Sequence, residues 1–147
     1  MDDQCPDDRV WRTYIETSIR LQTRLDDDLR ATAGMSLIDY HVLLLLAEAP
    51  DCRMRMGELA ARMVFSSSRL TYQVKAMEER GWVLRQQSSA DRRVSHAVLT
   101  ASGFTALRDA GEHHGRTVRE LFTNDLDDEE LRVLRRVFER VAKRLDG

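Results

Sequence analysis

The sequence predicts a mostly α protein with one small β-hairpin, and three observations carry that expectation. Charged residues make up 33% of the chain and aromatics 6%, with only seven Gly and two Pro, the composition of a soluble, helix-rich globular chain rather than a disordered one. Apolar residues recur at three- and four-residue steps over most of the length. Between residues 82 and 99 that spacing gives way to two-residue alternation on either side of a polar tip, SSADRR, as a hairpin requires. At 147 residues the chain is expected to form a single domain, 1–147, with a real core.

Taken in order, Val10, Trp11, Tyr14, Ile15, Ile19, Leu21, Leu25 and Leu29 form one stripe of a long helix that Gly34 breaks. Ser36 is placed to cap a second helix, in which Tyr40, Val42 to Leu46 and Ala47 are apolar all round and hence buried, until Pro50 ends it. RMRMG, residues 53–57, leads into a short helix with Leu59, Ala60 and Met63 on one side and Glu58 near its positive end. A tight turn at Val64-Phe65 precedes Ser66, the N-cap expected for a fourth helix. There Leu70, Val74 and Met77 repeat at i, i+4, i+7 until Gly81, placed as the C′ residue. That is a helix, a turn and a helix, followed by the hairpin as a wing. From Thr100 a further helix carries Phe104, Leu107, Val118, Leu121 and Phe122, with Gly111 and Gly115 as weak points in its continuity. Asp125 or Asp127 then opens an acidic first turn. The last helix follows, with Leu131, Leu134, Phe138, Val141 and Leu145 and basic residues toward its end.

The net charge of −2 hides an uneven distribution. Residues 1–52 hold five Arg against eleven acids, leaving −6; residues 53–93 hold nine Lys or Arg against four acids, leaving +5; the remainder, with nine against ten, is −1. A basic centre between acidic flanks is the footprint of one face meeting a polyanion. Cys5 and Cys52 lack any C-x-x-C spacing, which fits a reducing cytoplasm and no zinc knuckle. The acidic MDDQCPDD start does not look like a signal peptide, and the apolar run from Val42 to Ala47 is too short to span a bilayer.

The face of the fourth helix opposite Leu70, Val74 and Met77 presents Ser67, Ser68, Arg69, Thr71, Tyr72, Gln73 and Lys75, nearly all hydrogen-bond donors, with Ser66 at the helix start. A helix in a DNA major groove needs such a face: Arg and Lys reach guanine acceptors or phosphate, Gln can read adenine, and Ser or Thr can contact phosphates or base edges. Its N-terminus also offers free N–H groups to a phosphate. At the hairpin tip, Arg92 and Arg93 are placed to reach the neighbouring minor groove, and Asp91 to pair with a nearby Arg and hold the tip in shape. Arg53 and Arg55 are candidates for further backbone contacts. An ordinary solvated polar face is the competing reading of these residues.

The blocks SLIDYHVL from Ser36, GELA from Gly57, Ser66 to Gly81, and Asp91-Arg92-Arg93 through Leu99-Thr100 together resemble a MarR-type (multiple antibiotic resistance regulator) transcription factor, over about residues 10–145. The resemblance implies a homodimer with helices 10–32 and 104–145 intertwined. Winged helix-turn-helix lobes, 36–100, would bind double-stranded DNA at a palindromic operator, usually as a repressor released by a small molecule. By position, Ser66, Ser67, Ser68, Arg69, Thr71, Tyr72 and Gln73 fall on the recognition helix, and Arg92 and Arg93 on the wing tip. Tyr72 and Ala76 stand where many members carry a basic residue, so the operator sequence does not transfer. Independently, the apolar stripes of the terminal helices exceed what a small lobe can cover, so a second copy is expected, with two recognition helices about 34 Å apart.

Trp11, Tyr14, Tyr40 and His41 are the candidates for a small aromatic effector pocket, since the family often binds aromatic acids near the junction of lobe and dimer helices; the favoured reading is that they are core. Cys5 and Cys52 are candidates for a redox sensor, although the acidic tail around Cys5 would raise its thiol pKa. His41, His96, His113 and His114 include no i, i+4 pair, so no metal or other cofactor is expected. No phosphate loop, nucleophile elbow or H-E-x-x-H motif is present, which points away from an enzyme. A winged helix that binds protein instead of DNA is the stronger rival, and the basic centre argues against it.

Overall fold

The computed structural model describes residues 6–147. Helix α1, Pro6–Ala33, starts ahead of the Val10 expected from apolar spacing, because Asp7 and Asp8 put carboxylates in a first turn whose free N–H groups favour them. Gly34, with φ +65°, ends it in the left-handed conformation that glycine adopts freely. Helix α2, Leu37–Glu48, opens on a complete capping box: the Ser36 hydroxyl accepts the Asp39 N–H and the Asp39 carboxylate accepts the Ser36 N–H, both at 2.9 Å. Its Val42, Leu43, Leu45 and Leu46 are buried.

Strand β1, Arg53–Arg55, precedes α3, Met56–Met63. The hairpin expected from the sequence is present as β2, Val83–Gln87, and β3, Ser95–Leu99, but β1 adds a third antiparallel strand with Met54 opposite Ala97, so that β3 lies in the middle. Three residues are too few for a periodicity to register; the one visible sign is apolar Met54 between two arginines, and its side chain is buried.

Helix α4, Ser67–Glu79, follows the turn at Val64-Phe65, with the Ser66 hydroxyl accepting the Arg69 N–H and Gly81 at φ +77° closing it. Val64 sits at φ 55°, ψ 43° with its side chain 88% exposed. A β-branched residue in the left-handed region costs about 1–2 kcal/mol, and nothing packed around Val64 offsets it. Val64→Asn is therefore expected to stabilise the protein by about 1 kcal/mol, read as a higher urea midpoint at unchanged m-value; a lower midpoint would show that the valine side chain contributes in the folded state.

Helix α5, Ala101–Val118, is capped by the Thr100 hydroxyl on the Gly103 N–H. It runs unbroken through Gly111 and Gly115, contrary to the weak points expected there. A Cβ at 111 would stand 3.4 Å from the Tyr40 hydroxyl, so glycine leaves room for α2 to approach. Gly103 is tighter still: a Cβ there would lie 2.1 Å from the Trp82 carbonyl oxygen, which lets α5 lean against the base of the wing. One wide π-type turn, Arg119–Thr123, leads to α6, Asp128–Leu145, whose capping box pairs Asp127 with Glu130.

The core lies between α2, α3, α4 and the sheet, where Leu43, Leu46, Leu59, Leu70, Met77 and Val83 are almost completely buried, with Leu29 of α1 and Leu107 of α5 closing it. A further set of apolar side chains is left uncovered among the described residues. Val10, Trp11, Tyr14 and Ile19 on α1, Leu121 and Phe122 in the wide turn, and Leu131, Val133, Val137, Phe138 and Val141 on α6 are all exposed. Among the described residues no single helix is long and apolar enough to cross a membrane.

Candidate nucleic-acid interface

Helix α4 and the wing enclose an open groove of about 380 Å³, lined by Ser67 and Thr71 of α4, Arg55 of β1, Glu58 of α3, and Arg85, Arg93, Val94 and Ser95 of the wing. Three arginines from three separate stretches of sequence thus line one groove with Ser67 and Thr71 of α4. Their arrangement has local causes. The Glu78 carboxylate accepts the Arg85 N–H at 3.0 Å, fixing β2 to the end of α4, and the Arg85 guanidinium donates to the Ser95 hydroxyl at 3.2 Å. At the tip, Asp91 accepts the Arg93 N–H at 3.0 Å and its guanidinium Nε at 3.4 Å through the same oxygen, so the tip is held by one carboxylate atom and not by the two-point pairing that carboxylate and guanidinium can form. Arg93 stays 92% exposed and Arg92 is exposed beside it.

On α4 itself Ser67, Ser68, Thr71, Tyr72 and Lys75 point outward and are exposed. Ser66 is occupied as the cap and shares a 3.2 Å contact with the Ser68 hydroxyl. The Arg69 guanidinium lies 3.8 Å above the Phe65 ring, which keeps it at the helix start while leaving its edge open. Gln73 departs from the reading face: it is half-buried on the flank toward α2, and its amide donates to the Asp39 carboxylate. Position on the helical wheel does not foresee this, because the acceptor lies 34 residues away. Arg53 and Arg55 also part company. Arg55 joins the groove, whereas Arg53 lines a separate cleft with Glu48, Glu58 and Arg62. Arg85, absent from the sequence-based candidates, is the residue that strand alternation next to the tip could have supplied.

The four effector candidates make separate contacts. Tyr14 packs at a tilt on Trp11 and on Phe138 of α6, each pair 5.9 Å between ring centroids, at the N-terminal end of α1. Tyr40 packs on His114 of α5 at 4.4 Å, near the other end, and His41 is exposed. Nor are Trp11 and Tyr14 core residues, at 59% and 45% exposure. Burial raises the Tyr40 pKa and lowers that of His114, whose buried Nδ1 has no partner among the described residues. The adjacent His113 points instead to α1, with Nε2 3.0 Å from the Asp28 carboxylate. Burial pushes the Asp28 pKa up, but hydrogen bonds from His113 and Thr117 outweigh it and leave it lowered. Cys52 is half-buried at positive φ; Cys5 lies outside the described residues.

A model of the MarR family matches residues 35–95, from the start of α2 to β3. AbsC, a MarR family transcriptional regulator from Streptomyces coelicolor, has a crystal structure that overlays this one with a TM-score of 0.91 and 35% identity, covering 100% of this chain and 97% of that one. The chain belongs to the MarR family. A second MarR family regulator from Streptomyces coelicolor, Sco3205, solved in complex with DNA, gives a TM-score of 0.90 at 35% identity over 97% of this chain and 90% of that one. The HTH-type transcriptional regulator MhqR of Bacillus subtilis is 27% identical over 109 residues, 74% of this chain and 73% of its own length. In MarR terms the groove lies between recognition helix and wing, and the uncovered apolar surface falls on the terminal helices.

Proposed function

We propose that the protein is a sequence-specific double-stranded DNA-binding transcriptional regulator, acting as a homodimeric repressor on a palindromic operator in the cytoplasm. The groove carries this reading: Arg55, Arg85 and Arg93 meet the exposed hydroxyls of Ser67 and Thr71 on one surface. Arginines flanking a helix whose Ser67, Thr71, Tyr72 and Lys75 side chains are exposed suit phosphates on either side of a major groove. Ser67, Ser68, Arg69, Thr71, Tyr72 and Lys75 face the bases and nearby phosphates, Arg92 and Arg93 the adjacent minor groove, and Asp91 holds the tip. The division of labour follows the elements, with 36–100 as the DNA-binding lobe and 10–32 with 104–145 as the dimerisation helices of a single domain. Crystallisation of Sco3205 with DNA at 35% identity supports the reading. Release by a small molecule rests on family membership, and a role in gene control rather than in catalysis agrees with the names of the relatives.

The deciding measurement is binding to random-sequence duplex as a function of salt. A dimer neutralising about eight phosphates is expected to show a slope of about −7 in log K against log salt. A slope near zero would leave a protein-interaction module in its place.

A further inference from the structure

The joint between α1 and α2 is three residues long, Gly34 to Ser36, and the recognition helix reaches it at two points. The Arg80 guanidinium, lying 3.7 Å above the Trp82 ring, donates to the Gly34 carbonyl at 2.7 Å. Seven residues earlier the Gln73 amide donates to Asp39, the same carboxylate that closes the capping box on Ser36. From the other side, Asp26 of α1 accepts the Leu37 N–H at 2.8 Å. Side-chain bonds therefore run without a break from α1 through the joint to α4, while α4 packs chiefly on α3 and β2. Gln73 and Arg80 stand about two helical turns, roughly 10 Å, apart. Two anchors at that separation fix the direction of a helix as well as its location.

We propose that Gln73 and Arg80 are positioning residues which set the angle of the recognition helix to α1, and thereby the half-site spacing that the dimer accepts. The inference rests on the DNA-binding reading above. One base pair added between half-sites moves the second by about 3.4 Å along the duplex and turns it by about 35°. A helix held at two points cannot follow that change; a helix released from both can.

The test uses the full chain and a pool of randomised 30-base-pair duplexes, from which the wild type selects its site. Affinities are then measured for that site and for the same half-sites with one central base pair added or removed. The wild type is expected to lose about 50-fold on either change, and the double variant Gln73→Met/Arg80→Met about 5-fold or less. Should Gln73 also touch a base, its replacement lowers affinity at every spacing alike and cancels in this ratio, as does a general decrease in stability. Arg80→Lys, which keeps a donor for the Gly34 carbonyl, is expected to keep the wild-type ratio. If the double variant does not fold as a dimer, Arg80→Met alone carries the comparison, with an intermediate ratio expected. An unchanged ratio in the Met variants, or equal loss in Arg80→Lys, overturns the positioning role and leaves DNA binding standing. Failure of the wild type to select any duplex removes the DNA reading and the inference with it.

Discussion

Phe138→Glu is expected to convert the protein from a dimer to a folded monomer. Phe138 contributes little to the lobe's own core: it is 41% exposed and touches the Tyr14 ring at the outer end of α1. It belongs to the set of apolar side chains on α1, the wide turn and α6 that stay exposed among the described residues. Completing the burial of a phenylalanine contributes about 1–2 kcal/mol, and a carboxylate in its place adds a desolvation cost of similar or larger size. Two-fold symmetry counts both twice. The dimer dissociation constant should therefore rise by about 1,000-fold or more, as read by sedimentation equilibrium, with little change in far-ultraviolet circular dichroism. Operator affinity should fall with it, because each monomer reads one half-site. A variant that remains a tight dimer would place the interface elsewhere.

Replacing both wing arginines, Arg92→Ala with Arg93→Ala, is expected to weaken operator binding by about 100-fold at physiological salt while leaving the dimer and its melting temperature nearly unchanged. Four guanidinium groups leave each dimer, at about 0.7 kcal/mol for each exposed contact with the duplex. The salt dependence should become shallower by as much as about 3.6 in the logarithmic slope, if all four meet phosphate charge. Stability is spared because the Arg93–Asp91 pair is exposed and rests on a 3.4 Å contact, and such pairs contribute little. Equal affinity in the variant and the wild type would remove the wing from the interface and leave α4 with Arg55 and Arg85 as the binding surface.

The parts of the fold that were legible from the sequence are those set by neighbours along the chain. Ser66 announced α4 and Gly81 its end; the acidic turn expected from Asp125 or Asp127 opens α6, with Asp127 as the cap; alternation around SSADRR marked β2 and β3. Capping, glycine conformation and strand periodicity all act within a few residues, so a sequence displays them directly. Pairings that close across long separations were not legible. Gln73 looked like any donor on the outer face of α4 until Asp39 claimed it, and nothing near Arg80 in the chain points to its acceptor, the Gly34 carbonyl, 46 residues away in sequence. Strand β1 failed for a third reason, being too short to carry a pattern of its own. Trp11 and Tyr14 show the limit of reading large aromatics as interior: their stripe is real, yet the described residues leave both exposed.

The outward side chains of α4 have a different kind of consequence. Ser67, Thr71, Tyr72 and Lys75 make no side-chain hydrogen bonds within the described residues, so exchanging them leaves the rest of the molecule almost undisturbed. Gene duplicates of such a protein can drift at these positions without risking collapse, and acquire new genomic addresses one residue at a time. Gln73 and Arg80 lack that freedom, since altering either loosens the scaffold that carries the others. Divergence among descendants should therefore concentrate on the exposed row and spare its two moorings.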